Sequence, residues 1–149
     1  MAYPAGFSLV GANSVEDAIS LPITSNAVTI GDMLALGVGA TTWSDAAATT
    51  EHWQLKAVAQ ETVANTATEI KCQIVYPGQL WIAETANNSA AADNGDRMIL
   101  TDTNTVNNSG TDDTSEEAVF IQLAPVGAVA EKRILGMIVY GTGINCDAS

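Results

Sequence analysis

Histidine, cysteine and basic side chains are scarce in this sequence, and their scarcity limits the chemistry that it can carry. The chain has one histidine, two cysteines and five lysine or arginine residues among 149. A lone histidine cannot assemble a three-histidine metal site, and no G-x-S-x-G motif presents a serine for His52 to activate. We therefore interpret His52 as a partly exposed residue at the edge of a strand.

The seventeen acidic residues leave one enzymatic alternative, a hydrolase that uses two carboxylates. Spacing in the sequence does not give distances in space, and nothing marks one pair of carboxylates above the others. We identify no catalytic, metal-binding or cofactor-binding residue. The sequence therefore predicts a protein that binds and does not catalyse, with no cofactor.

Basic residues are too few to balance the acidic ones, and the formal net charge is −12. Such a surface repels phosphate, which argues against nucleic-acid partners and against anionic membrane surfaces. The simplest explanation of the charge is solubility, because a high charge of one sign keeps copies apart. No run approaches the ~18 apolar residues of a membrane-spanning helix. The first six residues lack the pattern of a signal peptide, so we expect synthesis in a cytoplasm.

The two cysteines differ in their surroundings. Cys72 alternates with Ile70, Ile74 and Tyr76 at a period of two, which predicts one strand face and a buried position for the thiol. Cys146 follows a segment that contains glycine and asparagine near the C-terminus. A disulfide between the two stays possible, although cytoplasmic synthesis disfavours it. Neither belongs to a CxxC motif, which argues against a zinc site.

Short apolar segments separated by turn signals predict an all-β fold, a small β-barrel or sandwich of about seven or eight short strands. Pro77-Gly78 is the strongest turn signal, and it predicts a hairpin between 70–76 and 79–84. One helical turn is predicted from Ser14 through Ile19, where residues 14–17 resemble a capping box, and another after Ser44. The other predicted strands are 27–30, 33–36, 53–59, 97–101, 119–123 and 133–140.

A Gly-Asp pair starts an apolar run twice in the chain. Gly31-Asp32 precedes MLAL, and Gly95-Asp96 precedes RMIL 64 positions later. Glycine and aspartate supply turn chemistry, so both phrases predict a turn that leads into a strand. A single repeat is fewer than the three that a solenoid requires, and we interpret it as two similar strand starts in one barrel or sandwich.

The first 24 residues are predicted to form an extended N-terminal arm and a short helical turn, and residues 25–149 the β-barrel domain. Five residues of the arm are candidates for binding a partner: Tyr3, Pro4, Phe7, Leu9 and Val10. Such an arm must pack on something, and two alternatives are open. It binds a neighbouring subunit, or it folds back over its own barrel.

Two further features have competing interpretations. Residues 102–117 are polar, but they fail the EF-hand template because Val106 stands at position five and Asn107 at position six. We interpret this segment as a solvated connection rich in Asx turns. Trp43, Trp53 and Trp81 could build an aromatic platform for sugars, although Trp81 lies in an apolar segment that predicts a core position.

The order of these segments resembles that of the head decoration, or cement, proteins of tailed bacteriophages. The resemblance rests on layout and on the two Gly-Asp strand starts over about residues 25–140. Its segments are an extended arm, VTIGDMLAL at 28–36, KAVA at 56–59, the turn at 77–78, DNGDRMIL at 93–100, a polar loop, and RILGMIV at 133–139.

The resemblance implies a small β-barrel that binds the outer surface of an icosahedral capsid and clamps adjacent capsomers without catalysis. The implied partners are the major capsid protein and further copies of the chain, as a homotrimer. The implied location is the outside of the virion. An alternative of a different class is a carbohydrate-binding or adhesin module displayed on a phage particle, which would use exposed tryptophans.

Overall fold

A computed structural model of the chain describes residues 5–10, 18–24, 26–109, 112–113 and 115–139. The described part is all-β, as predicted, with two short 3-10 turns at Ala91–Asp93 and Val129–Glu131. Its strands are β1 (Ser8–Leu9), β2 (Ala18–Pro22), β3 (Met33–Leu36), β4 (Ser44–Asp45), β5 (Leu55–Ala59), β6 (Glu69–Ile74), β7 (Trp81–Thr85), β8 (Arg97–Met98), β9 (Leu100–Asp102), β10 (Thr105–Val106), β11 (Phe120–Val126) and β12 (Arg133–Ile138).

Strands β7 to β12 form a barrel-like sheet, here called the second ring. Its strand order is β8-β11-β12-β7-β10-β9, and β1 adds to β7. Because only Ile99 separates β8 from β9, the two ends of this order lie on one continuous stretch of chain. The sheet therefore returns almost to its own beginning, which leaves few unpaired strand edges.

Strands β2 to β6 form the other sheet, here called the first ring, in the order β2-β6-β5-β3-β4. A parallel bridge joins Ile23, just after β2, to Trp43, just before β4. The Trp43 amide donates to the carbonyl of Pro22 at 2.8 Å, which holds the same junction. One bridge thus brings the two edges of this sheet together.

The two rings have the same strand connectivity. The pairs β3·β4, β3·β5, β5·β6 and β6·β2 are antiparallel in the first ring. The pairs β9·β10, β8·β11, β11·β12 and β12·β7 match them in the second, and the parallel pair β7·β10 matches the Ile23–Trp43 bridge. Strand β12 begins and ends 64 residues after β6, which is also the spacing between the two Gly-Asp pairs. The described chain is therefore an internal structural repeat, in which β8 and β9 together take the place that β3 has in the first ring.

The Gly-Asp pairs occupy equivalent places in the two rings. Gly31 and Gly95 have φ of 93° and 91°, and the aspartate after each donates its amide to the carbonyl three residues earlier. Each is a turn of the kind that needs a left-handed residue at its third position. In each case the glycine and the aspartate both oppose one residue of the neighbouring strand, Ala59 or Gln122. This is a β-bulge that starts with glycine. The predicted strand starts are confirmed, but they lie in separate sheets.

Two apolar clusters fill the molecule. One contains residues of the first ring alone, among them Leu34, Ala57 and Ile70. The other joins the inner positions of the second ring, such as Trp81 and Phe120, to residues of the first ring such as Val58. Because β5 alternates Ala57 and Val58 between these clusters, both faces of this strand are buried here, and small or apolar residues fill these positions.

The predicted hairpin at Pro77-Gly78 is wrong. A turn does form there, and Gly78 has φ of 87°, but β6 pairs with β2 and β5 while β7 pairs with β12 and β10. The turn is instead the connection between the two rings. The local turn residues determine that the chain bends here. The partner of each strand is determined by which residues are buried on its two faces.

The predicted helical turns are also misplaced. Ala18 and Ile19 lie in β2, which pairs with β6 along its length, and residues 11–17 lie outside the described residues. Ser44 and Asp45 form β4 opposite Ala35 and Leu34. At Ser44 strand pairing outweighs a local capping signal. The polar connection at 102–117 contains the short strand β10, whose Val106 is buried.

Candidate functional site

The described part of the arm packs on its own chain. Ser8 and Leu9 pair with Ile82 and Trp81 of β7. Phe7 is 3% exposed and belongs to the core, with its ring centroid 6.1 Å from that of Phe120. Leu9 packs against the same cluster, and Val10 is 38% exposed. Tyr3 and Pro4 lie outside the described residues. Residues 5–10 therefore contact both rings. They pair with β7 of the second ring, and Phe7 enters the core that the second ring shares with the first.

An uncharged apolar surface lies at one end of the first ring. Val38 is 87% exposed, Tyr76 56%, and Trp53 and Leu55 41% each. Leu55 pairs with Leu36, and Val75 donates its amide to the carbonyl of Lys56, which places Tyr76 across the ladder from Leu55. We call Val38, Trp53, Leu55 and Tyr76 the apolar patch. On a chain with a net charge of −12, such a patch is typical of a protein–protein contact.

A shallow depression of about 260 Å³ forms part of this surface. None of the described residues that line it is charged, and they are Leu36, Gly37, Val38, Gly39, Ala40, Trp53, Gln54 and Leu55. An aromatic residue beside small residues gives a partner side chain both a wall to pack against and room to enter. The chemistry available here is apolar adhesion.

A buried lysine holds the turn that carries Trp53. Lys56 is fully buried, and its Nζ donates to the carbonyls of His52 at 2.7 Å and Gln54 at 2.9 Å. The Gln54 amide donates to the carbonyl of Glu51 and closes the turn. Lys56 thus holds the carbonyl groups on both sides of Trp53. Because this turn is already ordered, less conformational entropy is lost when Trp53 contacts a partner.

Burial lowers the pKa of Lys56 to about 7, because the low-polarity surroundings disfavour the charged amine. The unfolded chain then binds more protons than the folded chain between pH 7 and 10.5, so the stability contributed by this group rises with pH in that window. Below pH 7 both states are protonated and the cost of burying the charge is fully present.

We expect the free energy of unfolding to rise by about 2 kcal/mol from pH 7 to 9 through Lys56. Urea titrations of Lys56→Met should show a flatter pH dependence than the unaltered chain. Lys71→Met, which removes an exposed lysine from β6, is the matched control and should keep the rise. Equal slopes for Lys56→Met and the unaltered chain would contradict the assignment. Above pH 9 the Cys72 thiol, whose pKa burial raises to about 12, acts in the opposite direction.

A second feature is a cavity of about 410 Å³ at the junction between Ile23 and Trp43. Its floor consists of buried apolar residues, namely Ile23, Val28, Leu34 and Trp43, and its rim of polar ones, namely Thr24, Asn26, Ser44 and Asp45. The Nδ2 of Asn26 donates to Asp45 Oδ2 at 2.7 Å. Burial, with a smaller contribution from the charge of Asp32, raises the pKa of Asp45.

The polar connection is tied to the second ring. Arg97 donates from its backbone and its guanidinium to the carboxylate of Asp112, and these hydrogen bonds lower the pKa of Asp112 to about 2. Asp102, Asn107 and Asp113 each accept from the amide two residues onward. The predicted Asx turns are therefore confirmed.

The remaining candidate residues are placed as follows. Cys72 is buried in the first ring, as predicted, and Cys146 lies outside the described residues. His52 is buried, which corrects the partly exposed position predicted for it. Trp81 is core, as predicted. Among the described residues, no group of three or more His, Cys, Asp or Glu is arranged to hold a metal ion.

Sequence reasoning missed Lys56 and the cavity. Lys56 shares its strand face with Val58, so a period of two already put a charged residue among core positions. The cavity has no sequence signal, because its residues near Ile23 and its residues near Trp43 meet only through the closure of the first ring.

Within the described ranges, no helix has the length and apolar character needed to cross a membrane. No protein-family model matches the chain, and neither the curated proteins nor the solved structures give a match.

Proposed function

We propose that the chain is a structural virion protein that binds the outer surface of an icosahedral bacteriophage capsid and cements adjacent capsomers. The observation that carries the proposal is the apolar patch at the end of the first ring. An uncharged surface of exposed side chains on a strongly acidic body favours adhesion to another protein. The layout of the two Gly-Asp strand starts is what directs the proposal to a capsid.

The partners under this proposal are the major capsid protein and two further copies of the chain in a homotrimer. Charge repulsion between bodies of net charge −12 keeps the particles dispersed. The patch supplies short-range attraction that does not depend on charge. Repetition over a closed lattice multiplies modest contacts by avidity, so no single contact needs to be strong.

The arm enters this function in a restricted way. Phe7 and Leu9 are committed to the chain's own core, so they are not available as free anchors. Val10 is exposed and donates its amide to the carbonyl of Leu80, which is also exposed. Under this proposal, residues 5–10 hold the arm on its own chain, and the apolar patch makes the contact with the capsid.

The test is co-sedimentation with empty, expanded heads assembled from the major capsid protein encoded with this chain. Trp53→Ser combined with Leu55→Ser removes two exposed side chains from the patch. We expect this variant to lose at least about tenfold in affinity for the heads, since contact residues of this size each contribute about 1 kcal/mol or more.

The matched control is Leu123→Ser combined with Val129→Ser, which removes two comparably exposed apolar side chains from the second ring. The control should bind like the unaltered chain. Equal binding by both variants would contradict the assignment of the patch. Failure of the unaltered chain to bind heads at all would contradict the function itself.

A further inference from the structure

The repeat shows that the first ring departs from the shared fold at one place. In the second ring, β7 and β10 close the ring with two paired residues on each strand. In the first ring the same closure is the single Ile23–Trp43 bridge. The cavity of about 410 Å³ lies at that junction. It is therefore an opening in a fold that the second ring closes.

In the second ring a side chain bonds to the backbone of the segment that corresponds to the rim of this cavity. Because Leu21 pairs with Ile70 and Ala83 pairs with Ile134, Asn88 takes in the second ring the place that Asn26 has in the first. The buried amide of Asn108 donates to the carbonyls of Asn87 and Asn88 and accepts from the Asn87 amide. A side chain thus satisfies this backbone in the second ring, whereas the same region of the first ring faces an open cavity with a polar rim.

The lining defines what could occupy the cavity. Its volume is within the range of small-molecule sites, which are apolar with a few convergent polar groups. None of the described lining residues is lysine or arginine, and Asp45 is acidic, so an anion would be repelled. The floor of Val28, Leu34 and Trp43 favours a ligand with an apolar face.

The rim distinguishes a neutral ligand from a cation. Thr24 and Ser44 carry hydroxyls, and Asn26 carries an amide, so these three groups both donate and accept hydrogen bonds. An ammonium group only donates, so it could not accept from the Ser44 hydroxyl or from the second Nδ2 hydrogen of Asn26. Ligand hydroxyls do both, and they can also donate to Asp45, which already accepts from Asn26.

We propose that this cavity is a binding site for a neutral sugar ring, with the apolar face of the ring against Trp43 and its hydroxyls on Asn26 and Asp45. The site is separate from the apolar patch and goes beyond the proposed capsid contact. A chain with both surfaces would hold a glycan while it is attached to a protein shell.

The test is titration of the full chain with methyl glycosides of glucose, galactose, mannose and N-acetylglucosamine, followed by NMR shifts of the Trp43 indole and by calorimetry. Choline and inorganic phosphate are run as cationic and anionic probes. We expect at least one glycoside to bind and to shift Trp43. Saturation by choline in place of every glycoside, or by phosphate, would overturn the proposal, as would no binding by any probe.

Variants locate the site without disturbing the core. Asn26→Ala removes an exposed rim amide and should weaken glycoside binding by about tenfold, the effect of one lost hydrogen bond in a binding site. Asn65→Ala removes an exposed asparagine from the connection after β5 and should bind as the unaltered chain does. Equal affinities for the two variants would overturn the site. Asn26→Ala should co-sediment with heads as the unaltered chain does. A failure of the sugar site can therefore be distinguished from a failure of the capsid contact.

Discussion

Replacing Gly31 by alanine is expected to destabilise the chain by roughly 4 kcal/mol or more. Gly31 has φ of 93°, a left-handed conformation that costs an L-residue about 1–2 kcal/mol. A methyl group there would lie 2.2 Å from the carbonyl oxygen of Ala5, so the arm would have to move. Since Phe7 lies two residues after Ala5 and donates its amide to the Gly31 carbonyl, its ring would leave the core.

Gly95→Ala is the matched control for this effect. Gly95 occupies the equivalent turn with φ of 91°, but a methyl group there meets nothing within 4 Å. We expect it to cost only the backbone strain of about 1–2 kcal/mol. Urea unfolding of both variants measures the difference. Equal losses would mean that the contact between the arm and the Gly31 turn does not form.

Replacing Phe7 by alanine is expected to cost about 3–5 kcal/mol, the usual effect of removing a buried aromatic ring. The ring is 3% exposed and tilted by 52° against Phe120, a geometry that favours aromatic pairs. Val10→Ala, in the exposed part of the arm, should change stability by less than about 0.5 kcal/mol. Thermal or urea unfolding distinguishes the two.

A double variant connects these two predictions. If alanine at Gly31 displaces the arm, then Phe7→Ala should cost little more in that background, because the ring has already left the core. Additive losses in the double variant would show that the two residues act separately. A deletion of residues 2–13 removes Phe7 as well, so we expect it to lower stability by a similar amount.

The sequence predicted the fold class and most strands because period-two patterns and turn residues are local properties. Met33–Leu36, Leu55–Ala59 and the start of β11 follow from them. Strand partners do not, as the Pro77-Gly78 turn shows. A proline-glycine pair specifies a bend in the chain. It does not specify the partners of β6 and β7, which pair in different rings because different residues bury their faces.

The internal repeat was visible only in part. The two Gly-Asp phrases predicted similar strand starts, yet the remaining strands of the rings share little sequence. EIKCQI at 69–74 and RILGMI at 133–138 occupy the same place with different residues. Equivalent burial is met by many apolar combinations, whereas a left-handed turn accepts few residues other than glycine. The repeat is therefore visible in the sequence at the turn glycines and not at the core positions.

The candidate sites depended on tertiary structure for the same reason. The apolar patch joins residues from three separate segments, namely Val38, Trp53 with Leu55, and Tyr76. Phe7 and Leu9 had two open alternatives in the sequence, because an apolar arm packs equally well on its own domain or on a neighbour. The pairing of Leu9 with β7 and the contact of Phe7 with Phe120 in the core depend on residues more than 70 positions away.

Hydrogen exchange of the chain, measured free and bound to empty heads, addresses the capsid contact most directly. Amides at 36–40 and 53–55 should become protected on binding, while those of the cavity rim at 43–45 should not change. Protection confined to the second ring, or exchange that is the same in free and head-mixed samples, would contradict adhesion through the end of the first ring.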